Sequence, residues 1–527
     1  VRPIKKLNLN QCWGQILILL SAIVFTSCSS GGLNDRNDLR NFFITGSYDA
    51  GLQYIEKSKY YQDKNERLLK LMEEGMLFHA KGDFEKSSLL LNDARTLSAE
   101  LFTTSVSKKL EKTLFNDNFD TFYGEIYERS MLNFYLSLNA ILQYQKSGNR
   151  ADLFKARAEI LGWDSFLNSI KEDRLGKSIY KNDLLLKIYG AKIHEMVGTR
   201  EDKQIALQLY KDALDVILKN YNTYPSFNLH FQDFKKDFEK LSNLNLNDMK
   251  KKYVAETDHQ KTIQEYLALN ISRLTKNSKK IAKDDKTQVT LILEKGMIAQ
   301  KIAEKSFYGL EFLSKDPILS LYAAQILGLL PSPNTFNPGG AFLGIAVANT
   351  TLKSVGVGFE LPKIINNQPI QKFKLTVLDK DNKLVLSKDI PLINPMGDIA
   401  EEAVFESSAW TYGRVGFRLA AKHATAIAAS FATYKALGGG RNGENNFLAK
   451  NAALIQYIGA AKLIEESEKA DTRFWSTLPN EIRLVDIELP QGNYHLEMSS
   501  DLNEKMSLGD ITVIAKETPQ LVNVRKN

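Results

Sequence analysis

Six histidines, at positions 79, 194, 230, 259, 423 and 495, are the side chains best suited to metal ligation or proton transfer near neutral pH. None forms a His-x-x-x-His pair or any other ligand spacing, so the pattern argues against a helical zinc site. Asp379-Lys380-Asp381-Asn382 starts like a calcium loop, but Leu384 stands where the loop needs glycine and Ile390 where it needs a bidentate glutamate. A hairpin turn accounts for these residues. The run Gly438-Gly439-Gly440-Arg441-Asn442-Gly443 lacks the Lys-Ser/Thr of a phosphate-binding loop and follows a helical pattern, which makes it a linker. No Gly-x-Ser-x-Gly elbow is present. The acidic pairs Glu73-Glu74, Glu401-Glu402 and Glu465-Glu466 fall in helical patterns and are expected to be solvated. No catalytic residue, metal ligand or cofactor is assigned, and an active site built from residues distant in sequence stays open.

The remaining reactive atom of interest is the Cys28 sulfur. Arg2, Lys5 and Lys6 precede the apolar run Ile16–Phe25, and Thr26-Ser27-Cys28-Ser29-Ser30-Gly31-Gly32 follows. Charge, apolar run and small residues in that order make a secretory signal, too short for a comfortable span. The ending resembles the lipobox and tether of bacterial lipoproteins, with Phe25 in place of the usual Leu. This implies a signal peptide over 1–27, a lipidated (palmitate-bearing) Cys28 and a tether over 28–34. The competing reading is an ordinary signal peptide cut nearby, leaving a free thiol. Cleavage before Cys28 removes Cys12 and three basic residues, lowering the formal charge from +7 to +4 and leaving no disulfide. So small an excess does not argue for nucleic-acid binding. Several acyl chains hold a protein firmly on a membrane. Ser29 in place of Asp favours the outer membrane, with the protein facing the periplasm. At 43% hydrophobic and 25% charged, the chain has an ordinary globular composition.

From 35 to 255 apolar residues recur at helical spacing, with few prolines. The clearest unit contains Leu71, Gly75, Phe78, Gly82, Phe84, Ser87, Leu91 and Ala94. Gly75 and Ser87 allow two helices to approach, and Gly82 turns the chain between them. Gly46, Tyr48, Gly51 and Ile55 repeat the turn and second helix upstream, and Gly198, Ala206, Tyr210 and Ala213 repeat it downstream. Tyr127–Gln145, closed by Gly148, supplies another helix. Gly75, Phe78, Gly82, Phe84 and Ala94 match positions of the tetratricopeptide (TPR) repeat, which this unit resembles, with Ser87 where Ala is usual. The resemblance implies a helical solenoid with a protein-binding groove; a mere spacer is the competing reading.

Residues 256–285 are expected to form a helical, polar linker. Beyond it the period becomes 2: Val289, Leu291 and Leu293; Phe342–Val347; Val355–Leu361; Phe373, Leu375 and Val377; Leu384–Leu386; Val485, Ile487 and Leu489; Tyr494, Leu496 and Met498; and Ile511–Ile514. The fold class expected is therefore α+β: a TPR-like solenoid, then an antiparallel β-sandwich-like domain over 286–527. A helical insertion at about 398–470 comprises Asp398–Leu437 and Ala449–Ser467. Arg414, Arg418 and Lys422 recur every four residues on the first of these helices, as a candidate interaction surface.

Leu68–Ala94, the Tyr127–Ala140 helix and Ala470–Pro479 together resemble a family of bacterial lipoproteins with an N-terminal TPR-like region. Such proteins look like neighbours of small outer-membrane lipoproteins related to curli-secretion and cell-wall-synthase activators, which implies a role in envelope assembly. Within the last segment, Trp475 reads first as a packed junction and second as a contact surface. The function expected is a membrane-anchored scaffold for envelope proteins. The alternatives are a peptidoglycan- or carbohydrate-binding module stacking Trp410 or Trp475 on sugar, and an envelope hydrolase with a site between domains.

Overall fold

The computed structural model describes residues 32–107, 121–169, 183–219, 226–227, 258–275, 286–309, 356–366, 371–438, 447–502, 504–514 and 519–527. Cys28, the signal-like segment and the expected strand Phe342–Val347 lie outside them. The described chain mixes helices and sheets, as an α+β class requires.

Among the described residues nine α-helices come first: α1 (Leu33–Ile44), α2 (Tyr48–Lys57), α3 (Arg67–Lys81), α4 (Phe84–Ser107), α5 (Ile126–Ser147), α6 (Arg150–Ser169), α7 (Leu184–Val197), α8 (Arg200–Lys219) and α9 (Asp258–Thr275). Each packs on the next, so the array grows in one direction. The turn between α3 and α4 shows why they pair. Gly82 sits at φ 82°, a conformation costly for a residue with a Cβ, and donates its N–H to His79 O while Asp83 N bonds Phe78 O. Left-handed glycines also close α1, α5 and α7, at Gly46, Gly148 and Gly198. The seam between α3 and α4 is tightened by Ser87 Oγ, which donates to Gly75 O at 2.7 Å. Leu91 fills the space a side chain at 75 would need.

α9 corrects the expected linker. Ile263, Tyr266 and Leu267 are buried in the same core as the earlier helices, because α9 packs against α8.

Ten strands follow among the described residues: β1 (Lys286–Lys295), β2 (Lys301–Gly309), β3 (Gly356–Ile364), β4 (Phe373–Asp379), β5 (Leu384–Asp389), β6 (Leu392–Asn394), β7 (Glu481–Pro490), β8 (Gly492–Ser500), β9 (Lys505–Val513) and β10 (Gln520–Lys526). One sheet has the order β10-β1-β7-β6, a second β5-β4-β8-β9, and β2 and β3 form a separate pair. Not every pairing is antiparallel as expected: β9 belongs to the second sheet, and β10 joins the first beside β1 and parallel to it, from Val289↔Gln520 to Lys295↔Lys526. Val289, Leu291, Leu293, Val485 and Ile487 of the first sheet share a core with Leu375, Val377, Leu496 and Met498 of the second. Between β6 and β7 stand α10 (Met396–Ala436) and α11 (Phe447–Ser467), which pack on each other and on β3 around Phe359, Leu419, Ile427 and Ala453.

Strand alternation would leave the other face of the first sheet wet, but here it is covered by the helices. Ile292, Ile482, Leu484 and Leu521 belong to the helical core, not to solvent. A bulky residue at the closest helical seam should therefore be costly. Gly75→Val would drive Cβ to within 2.5 Å of Leu91 Cδ2. The expected loss is about 2 kcal/mol in urea unfolding, partly recovered when Leu91→Ala is added to the same chain.

Candidate functional site

A set of buried ionisable groups converges where the helices meet the first sheet and the irregular segment Asp471–Leu478. α3 turns Glu73 inward, on the face that carries Leu69 and Met76. Its carboxylate accepts hydrogen bonds from Ser476 N and Ser476 Oγ, both at 2.7 Å, and from Thr477 Oγ1 at 2.5 Å. Glu73 is thus fully buried, which corrects its expected solvation. Burial raises its pKa, and the hydroxyl and amide donors only partly offset that.

Glu128, at the first turn of α5, has a double task. Oε2 accepts Glu125 N at 2.6 Å, closing a capping box, and Oε1 accepts Trp475 N at 2.5 Å. Burial, with the Glu125 charge adding to it, pushes its pKa up to about 8. Arg473 bonds Glu66 at 2.9 Å and forks onto Asp471 at 2.8 and 2.7 Å. From α1, Arg36 reaches Thr472 Oγ1 at 3.2 Å, and Arg40 reaches the carbonyls of Ser476 and Ile298 at 3.0 and 2.9 Å. The helices therefore grip the main chain of residues 475–476 as well as its side chains.

Two further clusters fasten the sheet. Glu294 on β1 accepts from Tyr135 Oη at 2.7 Å, Arg525 Nη1 at 2.9 Å and Asn523 Nδ2 at 3.0 Å. Burial alone would raise its pKa; His79 and Arg525 outweigh burial and hold it at about 2. Asp486 on β7 meets Lys192 Nζ at 2.6 Å, Thr290 Oγ1 at 2.7 Å and Tyr266 Oη at 2.9 Å. Lys192 also faces Glu195, which accepts from Tyr210 Oη at 2.5 Å. Burial opposes ionisation of Asp486, but Lys192 prevails and its pKa falls.

The residues singled out in the sequence are distributed as follows. Gly75, Gly82 and Ala94 lie in the α3–α4 seam; Phe78 and Phe84 are half-buried, beneath the ammonium groups of Lys86 and Lys146. Ala206, Tyr210 and Ala213 are buried in α8. Trp475 is 0% exposed beside Tyr135, so it is a packed junction and not the contact surface proposed for it. Arg414, Arg418 and Lys422 share α10; Lys422 bonds Glu468 at 2.7 Å, and the side chains of the other two lie outside the described residues. Asp379 Oδ1 accepts Asp381 N and Lys383 N, both at 2.9 Å, and Asn382 has φ 58°, so the calcium-like run is a hairpin turn.

One constellation escaped the sequence reading because cross-strand pairing creates it. His495 Nδ1 lies 2.6 Å from Asp510 Oδ1, and His495 Nε2 lies 3.2 Å from Ser507 Oγ. These distances match a nucleophile, base and acid. The carboxylate, however, is 84% exposed, so water screens the charge that would orient the imidazole, and Ser507 Oγ already accepts Gly509 N. The arrangement is a surface hydrogen-bond chain. Among the described residues, no group of three or more His, Cys, Asp and Glu is placed to hold a metal ion. No protein-family model, curated protein or solved structure matches the chain.

Two consequences of the junction are measurable. Arg473→Ala leaves Glu66 and Asp471 without their cation and should cost about 3–5 kcal/mol in chemical unfolding. Glu128 stays protonated in the fold up to about pH 8, whereas the unfolded chain releases that proton above the ordinary value of 4.5. Its contribution is complete below 4.5 and is lost as pH rises toward 8, with a limiting slope of about 1.4 kcal/mol per pH unit. Glu128→Gln should flatten this part of the stability profile; an unchanged slope between pH 5 and 8 would rule out the protonated carboxyl.

Proposed function

We propose that this protein is a membrane-anchored bacterial lipoprotein that serves as an interaction scaffold in the cell envelope, held at the outer membrane through Cys28. The helix pairs are read as degenerate TPR-like units and the two four-stranded sheets as a β-sandwich-like domain. The observation that carries the scaffold reading is the use made of the buried carboxylates. Glu66, Glu73, Glu128, Glu294 and Asp486 each bind another part of the same chain across the junction. Their chemistry supplies rigidity, which suits a platform better than a hydrolase.

The same observation revises how the scaffold would meet its partners. The faces of α3 and α5 that a TPR groove would offer to a peptide are already engaged by residues 473–477 of the chain itself. The second helices of the pairs remain accessible, exposing Leu89 on α4, Phe154 and Leu161 on α6, and Ile205 on α8. Partner contact is assigned to these outer faces, with small envelope lipoproteins as the partner class. No cofactor or nucleic acid enters this reading.

In cells fed labelled palmitate, wild type should incorporate label and Cys28→Ala should not. Affinity capture from detergent-solubilised membranes should recover stoichiometric envelope proteins with wild type and lose them with Leu89→Asp/Leu161→Asp. Absent label would overturn the anchor. Unchanged capture by the double variant would overturn the outer-face assignment.

A further inference from the structure

α11 departs from the rule that a surface helix turns a polar face to water. Its inner side buries Ala449, Ala453 and Ile464 against α10 and β3. Its outer side carries Leu448, Ile455 and Ile458 at 77%, 70% and 57% exposure, with Leu463 also exposed. At about 100° per residue these four share one helical face, and Lys462 lies among them. A helix apolar on both sides belongs in a protein core or in lipid.

The charge pattern selects between possible occupants. From Ser407 to Ile464, a stretch of 58 residues, the chain has seven basic residues and one acidic residue, Glu444. That segment, about a ninth of the chain, therefore has a formal net charge of +6, against +7 for the whole chain. Lys422 is engaged by Glu468, where the arm joins the body and Glu360 N bonds Glu468 O. The other acidic residues of the two helices fall at the ends joined to the body: Asp398, Glu401, Glu402 and Glu406 at the start of α10, and Glu465 and Glu466 at the end of α11, next to Glu468 in the sequence. Between those ends the stretch 407–464 is cationic, so a second copy of it would be repelled, whereas an anionic lipid surface meets both the charge and the apolar side chains. Among the described residues no helix is long and apolar enough to cross a membrane, so the contact is made lying on the surface.

We infer that α10 and α11 form a membrane-contacting arm, in which Leu448, Ile455, Ile458 and Leu463 enter the headgroup boundary of an anionic phospholipid bilayer beside Lys462. This contact goes beyond the lipid anchor and does not require it. The described fold begins at Gly32, so a chain starting at Ser29 keeps every described contact while lacking Cys28 and the signal-like segment.

The test is flotation of that chain with vesicles of phosphatidylethanolamine and phosphatidylglycerol, set against vesicles of phosphatidylcholine alone. Flotation is expected with the anionic vesicles only, with release at high salt. Ile455→Asp/Ile458→Asp should lower the partition coefficient by about tenfold or more, and Lys462→Glu by about fivefold. Both variants change exposed side chains, and an unchanged thermal midpoint confirms that they fold. No flotation, equal flotation on phosphatidylcholine, or indifference to the Ile455/Ile458 variant would overturn the inference. A concentration-dependent dimer in sedimentation that the same variant abolishes would give the face to a second copy instead and equally overturn it. Because Cys28 is absent throughout, a failure here is distinct from a failure of the palmitate labelling.

Discussion

The structure depends on keeping two carboxylates satisfied in a dry interior. Glu73 and Glu128 sit deep among apolar helices, where a carboxyl group without donors costs several kcal/mol. The amides of Trp475 and Ser476 and the hydroxyls of Ser476 and Thr477 meet that need. Neither side is complete alone. The helices would keep unpaired acids, and the 471–478 segment would keep unpaired amides, so parts of the chain just over 400 residues apart are bound into one cooperative body. Arg473, with a carboxylate on each side, and Arg36 and Arg40 fix the same segment along its length.

The clusters around Glu294 and Asp486 extend this principle with opposite electrostatics. Each carboxylate is as buried as Glu128 or nearly so, yet a cation stands beside it: Arg525 for Glu294, Lys192 for Asp486. One interface thus holds Glu73 and Glu128 driven toward their neutral forms, and Glu294 and Asp486 held ionised. The distinction lies in whether a full positive charge or only backbone and hydroxyl dipoles face the group. Lys192 on Asp486 and Tyr135 on Glu294 specify how the sheet docks on the helices, while Arg525 ties Glu294 to the neighbouring strand.

Much of this architecture is legible in the residues. Glycines at 46, 82, 148 and 198 mark the turns between helices, and the alternation of Val289, Leu291 and Leu293 marks β1. The interrupted helical insertion is visible from Gly438 onward. What escaped is tertiary. Glu73 looks like half of a solvated pair until its neighbours Leu69 and Met76 are placed on the same face. Glu294 and Asp486 look like the wet side of alternating strands because nothing local announces that helices cover that side. β2 and β10 carry weak alternation and exist through their partners, Gly356–Ile364 and Val289–Lys295. The Ser507–His495–Asp510 chain needs the β8–β9 register to bring it together.

The parallel pairing of β10 with β1 carries a consequence for the order of assembly. β1 is central in its sheet, but its partners are β7 and β10, about 190 and 230 residues later in the chain. Arg525, which neutralises Glu294 and also holds Thr477 O, lies on β10. A chain emerging from its N-terminus completes the helix pairs from local contacts while the faces they will present to the sheet are still uncovered. Such long-range closure is slow compared with helix formation. During that interval the apolar inner faces of α5 and α7 stay open to other chains, and a holding chaperone would find its substrate in the half-finished molecule.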